Sequence, residues 1–163
     1  ASDTMNIIMG SGNTTATFRN DGGMTLPYQP SFSVKLTTSI NEATGNNQIA
    51  NNWTTLHNTG GHFSTSTGRF TAPIAGRYMF GWNVMHRGTP SGDYHIKIFK
   101  NGSDYARANQ TSDGSVWNNV TLVVVVNMTA SDYVTFGVYS NASSTNIAAY
   151  AGEYTTAHGH LLG

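Results

Sequence analysis

No cysteine occurs in the chain, so no disulfide can staple it and no thiolate can react in it; the redox compartment stays undetermined. Stability has to come from packing or from association between copies. Charge is scarce as well. Asp, Glu, Lys and Arg make up 10% of residues and the formal net charge is zero, whereas roughly a quarter of an ordinary soluble domain is charged. No run of Lys or Arg tracks along the sequence, which argues against nucleic acid and anionic membrane surfaces as partners. The longest apolar run, 122–126, is far short of the roughly 20 residues of a membrane helix, so no membrane insertion is expected. No signal-peptide pattern opens the chain, and its first residue is Ala, which reads as a processed or excised piece of something longer.

Catalytic motifs are missing too. There is no G-x-S-x-G elbow, no H-E-x-x-H and no phosphate-cradling loop. Glu42 and Glu153 are the one carboxylate pair that could meet as in a glycosidase, and they lie far apart in sequence. A binding or structural module without a cofactor is expected, not an enzyme.

What fills the chain instead is Asn, Thr, Ser and Gly, suited to turns, strand faces and neutral hydrogen bonding. A length of 163 residues supports one sandwich or barrel core with a short appendage. Residues 1–26 carry strand signals at 5–9 and 15–19 and a hairpin signal at Asn20-Asp21-Gly22-Gly23. Too few to make a core alone, these strands should pack on the following domain or on the same segment of other copies. Pro27 and Pro30 in LPYQP stiffen a connector. The expected organisation is therefore an appendage with connector over 1–29 and a head over 30–163.

In the head, period-two patterns predict strands at 32–36, 53–56, 62–64, 69–72, 76–85, 94–100, 116–127, 133–139, 147–154 and 158–162. The polar stretch 37–52 and the segments 86–93 and 103–115 read as irregular. Ten short strands with Gly or Asn turns argue for an all-β jelly roll. Residues 68–80, GRFTAPIAGRYMF, are the densest pattern. Phe70 and Thr71 close one strand, Pro73 blocks further pairing, Gly76 allows a tight turn, and Tyr78 and Phe80 begin the next strand.

Those residues, read as G-x-F-x-x-P-x-x-G-x-Y-x-F, resemble the complement-1q globular head of the tumour necrosis factor jelly-roll superfamily. The resemblance extends over about 31–163. Asn58 to Gly68 fits the family's approach to the motif, Asn101-Gly102 its hairpin, and Asp132-Tyr133-Val134 its Gly-Asp-x-Val turn, with Ser131 in place of the Gly. Gly159-His160-Leu161-Leu162 resembles the closing strand, with His160 where an aromatic residue is usual. The resemblance implies a homotrimer that uses the inner-sheet face around a threefold axis, and it makes the Gly159 and Leu161 face the axial one.

Several residues invite chemistry. His158 and His160, two apart on a strand, share a face, so three copies could bring six imidazoles to an axis, enough for a transition metal; two ordinary strand histidines is the plainer reading. Asp132 sits in the turn where some complement-1q relatives bind calcium, but one carboxylate makes no calcium site, and capping the turn is its plainer role. Trp53 and Trp82 read as core. Tyr94, Tyr105, Arg107 and Trp117 are the residues expected to contact a ligand from loops. Sequons at Asn13, Asn101 and Asn141 show only that glycosylation is possible.

The join of appendage, connector and head looks like the stalk-to-head junction of phage fibre and virion appendage proteins. A trimeric bacteriophage fibre head is therefore expected, exposed on the virion, whose partners are its own copies, other virion proteins and a host cell-surface glycan or protein. A capsid decoration fibre is one alternative. The other is a secreted complement-1q-like recognition or signalling ligand, extracellular, for which a collagen-like G-X-Y segment would be expected; the appendage has no such period.

Overall fold

The computed structural model describes residues 4–9, 13–89, 92–112, 116–141, 144–147 and 154–163. All of its regular structure is antiparallel β. Strands β1 (Thr4–Met9), β2 (Asn13–Arg19) and β3 (Met24–Thr25) pair only with one another, as a small sheet of their own. Met5, Ile7, Ile8, Phe18 and Met24 on it are exposed.

The head is a sandwich of two sheets. One has seven strands: β4 (Ser31–Leu36), β5 (Ile40–Glu42), β7 (Trp53–Thr59), β10 (Gly76–Thr89), β13 (Asn118–Met128), β15 (Ser144–Ile147) and β16 (Thr156–Leu161). The other has six: β6 (Gly45–Gln48), β8 (Phe63–Ser64), β9 (Arg69–Thr71), β11 (Gly92–Lys100), β12 (Ser103–Ser112) and β14 (Tyr133–Ser140). Apart from the β8–β9 and β11–β12 pairs, neighbouring strands are not consecutive in sequence, as the crossing connections of a jelly roll require.

Alternation builds the core. Phe32, Val34 and Leu36 of β4, and Tyr78, Phe80, Trp82, Val84 and His86 of β10, point inward from one sheet. Tyr94, Ile96 and Ile98 of β11 and Val134, Phe136 and Val138 of β14 meet them from the other. Phe32 is the hub, its ring 4.8 Å from that of Phe63 and 5.1 Å from that of Phe70. Both core indoles find acceptors: Trp82 Nε1 donates to Gly137 O across the sandwich at 3.1 Å, and Trp53 Nε1 to Ile49 O at 2.9 Å.

Residues 68–80 carry the chain from β9 in one sheet to β10 in the other. Ala72 N donates to Asp132 O and Ser131 N to Ala72 O, both at 2.8 Å, which pins the crossing to the β13–β14 turn. Gly76 is closely covered by the end of the Leu161 side chain, whose Cδ1 would lie 2.6 Å from a Cβ there and would have to move for any larger residue. Strand β4 is held on both edges, by β16 and β7. At its start Leu161 N donates to Pro30 O at 3.0 Å and the Gln29 side chain donates to Leu161 O.

Three stretches expected to be irregular are strands. Residues 37–52 contain β5 and β6, most of 86–93 belongs to β10 and β11, and 103–112 is β12. β12 lies at the edge of its sheet, paired among the described residues with β11, and packs on the core with Ala108 instead of large apolar residues. Its sequence therefore shows little hydrophobic alternation. Of the predicted strand 147–154, residues 148–153 lie outside the described residues, while the strand observed there, β15, ends at Ile147.

Candidate functional site

Because β strands alternate, each sheet has a second side facing away from the core. On the seven-stranded sheet that side is organised in cross-strand rows. Val123, Gly81, His158, Ser33 and His57 form one row, and Val125, Met79, His160, Ser31 and Thr59 the next. Val123 is 56% and Val125 47% exposed. The His158 ring lies over Gly81, where any Cβ would come within 2.3 Å of it. The three histidines border a groove of about 690 Å³ closed on its other side by Leu26, Pro27 and Gln29 of the connector. Burial, then the neighbouring His160 and His57, hold His158 below the ordinary histidine pKa.

This geometry corrects one expectation. Gly159 and Leu161 do not form the outward face: Gly159 is buried against Phe80 and Phe32, with 2.5 Å from its would-be Cβ to Phe80 Cδ1, and Leu161 packs on the core. The side turned away from the core carries His158 and His160. Among the described residues of one chain, no three His, Cys, Asp or Glu side chains gather closely enough to hold a metal ion.

Asp132 is the cap of the β13–β14 turn. Its Oδ1 accepts from Asn101 Nδ2 at 2.8 Å, and its Oδ2 from Thr129 N at 2.9 Å and Lys100 Nζ at 3.0 Å. The Asn101 bond first, then those from Thr129 and Lys100, keep its carboxyl well below the usual carboxylate range. Three donors converging on one carboxylate, one of them an ammonium, are the reverse of the oxygen cage a calcium ion needs. The sequon residue Asn101 is committed to the same turn, accepting from Tyr133 N at 2.9 Å.

Of the four expected ligand-contact residues, Tyr94 is a correction. It is 1% exposed on β11, where it faces the core and its ring stacks on His86 at 3.4 Å. Tyr105 and Arg107 are exposed on β12 and border a common surface depression with Asp104. Trp117, 40% exposed just before β13, carries the Arg87 guanidinium 5.1 Å above its ring. Trp117 is not part of the Tyr105 and Arg107 depression. Trp53 and Trp82 are core, as expected. Glu42 is on β5, with its carboxyl raised by burial, and Glu153 lies outside the described residues.

Of the side of the six-stranded sheet turned from the core, the sequence reading found Arg107 alone. That side presents Asp93, His95, Lys97, Arg107, Tyr139 and Asn46. The signal was available, because DYHIKIFK alternates and its buried set Tyr94, Ile96 and Ile98 leaves Asp93, His95 and Lys97 outside.

Comparison with known proteins accords with this architecture. The globular domain of zebrafish complement 1qA superposes with a TM-score of 0.61 at 17% identity, covering 83% of this chain and 98% of that one. Eiger TNF from S. frugiperda gives 0.61 at 9% identity, with 83% and 93% covered. Murine APRIL at pH 5.0 gives 0.59 at 12% identity, with 82% and 99% covered. At these identities the likeness is one of fold. The sequence itself matches the C1q domain over residues 31–162, most of its length, and so the chain belongs to the C1q domain family.

Proposed function

We propose that the chain is the non-enzymatic, trimeric head of a bacteriophage fibre or other virion appendage, exposed on the particle and contacting a host surface. The observation that carries the trimer is the outward side of the seven-stranded sheet, where exposed Val123 and Val125 adjoin a nearly uncharged row of Gly81, Ser33 and histidines. A second and third copy would remove that apolar surface from water at roughly 25 cal/mol per Å². Three heads on one stalk multiply weak contacts into avidity.

The small β1–β3 sheet favours the stalk. Its Met5, Ile7, Ile8, Phe18 and Met24 are left exposed by the described residues of one chain, and the same segments of other copies would supply the cover. Other virion proteins would then hold the appendage, as in a tail fibre or a capsid decoration fibre. A secreted extracellular recognition or signalling ligand is the second reading, favoured by the fold shared with complement 1qA and TNF proteins.

One measurement tests the trimer and another separates the two readings. Native mass spectrometry of the chain at micromolar concentration should give the trimer mass, and a stable monomer would sink the trimeric head. The complete gene should encode a virion-anchoring region upstream of Ala1; a secretion signal there would favour the second reading.

A further inference from the structure

The outward side of the six-stranded sheet is built as a shallow polar binding surface. Pairing sets Asn109, His95, Tyr139 and Asn46 in one row across β12, β11, β14 and β6, with Arg107, Lys97 and Gly137 in the next. The His95 and Tyr139 rings lie 4.8 Å apart at 36°, two adjoining aromatic surfaces. Depressions of about 320 and 250 Å³ meet at Asp93 and His95, and Arg107 borders the second.

The polar groups divide into those already used and those that are not. Lys97 Nζ donates to Asn46 Oδ1 at 2.7 Å and to Asp104 Oδ2 at 2.5 Å, with its side chain 5% exposed, so its charge is spent within the protein. Asp93 and Arg107 are both exposed and neither forms an ion pair among the described residues. His95 Nδ1 is buried with no hydrogen-bond partner there. Burial, then the Arg107 and Lys97 charges, hold His95 below the ordinary histidine value, so its ring is neutral at pH 7.

We propose that this surface binds a neutral saccharide, one pyranose ring lying against Tyr139 and His95 while adjacent hydroxyls bridge the Asp93 carboxylate and the Arg107 guanidinium. An aromatic face matches the apolar C–H face of a sugar ring. A carboxylate accepts from two neighbouring hydroxyls, and a guanidinium donates to two oxygens in a fixed fork. Two acidic and two basic side chains, Asp93, Asp104, Lys97 and Arg107, balance in number, so no surplus of positive charge favours a phosphate, sulfate or acidic sugar. This deepens the recognition reading by naming a ligand class and a place, and it depends on neither the trimer nor the virion.

The test is saturation-transfer NMR on the full chain, with methyl glycosides of glucose, galactose, mannose and N-acetylglucosamine as neutral probes and glucuronate and N-acetylneuraminate as acidic ones. At least one neutral glycoside should receive saturation and shift the His95 and Tyr139 ring resonances. Asp93→Asn and Tyr139→Ala should each weaken that binding at least about tenfold, or about 1.4 kcal/mol, while Tyr139→Phe keeps it. Asp93 is exposed, so its variant reads out binding even should Tyr139→Ala fail to fold. Silence from every neutral glycoside, binding only of the acidic probes, or binding that survives Asp93→Asn overturns the proposal. The oligomer mass, measured on the same samples, reports separately on the trimeric head.

Discussion

The two outward sides of the sandwich follow the same alternation rule and end in opposite chemistry. On the seven-stranded sheet Val123, Val125, Met79 and Gly81 sit among serines and histidines. On the six-stranded sheet Asp93, Lys97, Asp104 and Arg107 stand around His95 and Tyr139. One side is suited to being covered by flat apolar contact, the other to staying wet and making directional bonds. Lys35 and Arg77 share the first side but only flank its uncharged rows, whereas on the second side charges of both signs gather around one aromatic pair. The lesson is that charge placement, not net charge, is what distinguishes the two sides.

The largest test of that difference places charge on the apolar side. Val123→Asp with Val125→Asp should convert the trimer to monomer at micromolar concentration, because each carboxylate would be buried near its symmetry copies, at a cost of several kcal/mol per ion. Both positions are exposed in the single chain, so the monomer should keep its β-sheet circular dichroism and its saccharide binding. A trimer that survives would show that the face is not the interface.

A smaller effect sharpens the contrast between inward and outward histidines. His86 points inward with neither ring nitrogen hydrogen-bonded among the described residues, and burial lowers its pKa to about 4 from 6.5, weakly opposed by Gln110. The folded state thus resists a proton that the unfolded chain accepts. Stability is full above pH 6.5 and falls as pH drops toward 4, by about 3 kcal/mol in all. Denaturant titrations at pH 7 and pH 4 should show the loss in the natural chain, and His86→Phe should abolish most of it. Equal slopes in the two proteins would remove His86 from the account.

The smallest effect belongs to the turn between the faces. Asp132→Asn keeps the shape of the cap but removes the charge that holds Lys100 and Thr129, so the melting temperature should fall modestly at neutral pH. Because the folded carboxyl titrates below its ordinary value of 3.8, the difference between the two proteins should persist down to that pH and fade beneath it. Added calcium should raise neither melting temperature; a rise specific to the natural chain would restore the cation site argued against above.

How far the sequence could be read depended on where large side chains fall. Phe70, Tyr78, Phe80 and Trp82 announce their strands and their inward side, and with Pro73 and Gly76 they marked the crossing between sheets. Gly159 misled because the family resemblance alone chose its side, and a glycine shows no preference of its own that could have opposed the choice. The Phe80 and Phe32 rings occupy the space its side chain would need. Tyr94 was misplaced for a different reason: with 86–93 read as irregular, the phase of β11 was lost, and a core tyrosine passed for a loop residue. Tyr105 and Arg107 were found as exposed but assigned to a loop, since an alanine stands where β12 meets the core. Lys97, Tyr139 and Asn46 come together only through strand pairing between segments distant in sequence.

The entry of the connector has a mechanical meaning. Pro30 leads directly into β4, which is bonded along both edges, and the Gln29 and Leu161 hydrogen bonds clasp its first residues to the end of β16. A tug on the connector along the strand direction therefore loads two ladders in shear at once, so their bonds must yield together instead of peeling one by one. Resistance at this end of the head is thus set by the number of ladder bonds loaded together, not by the strength of any one of them.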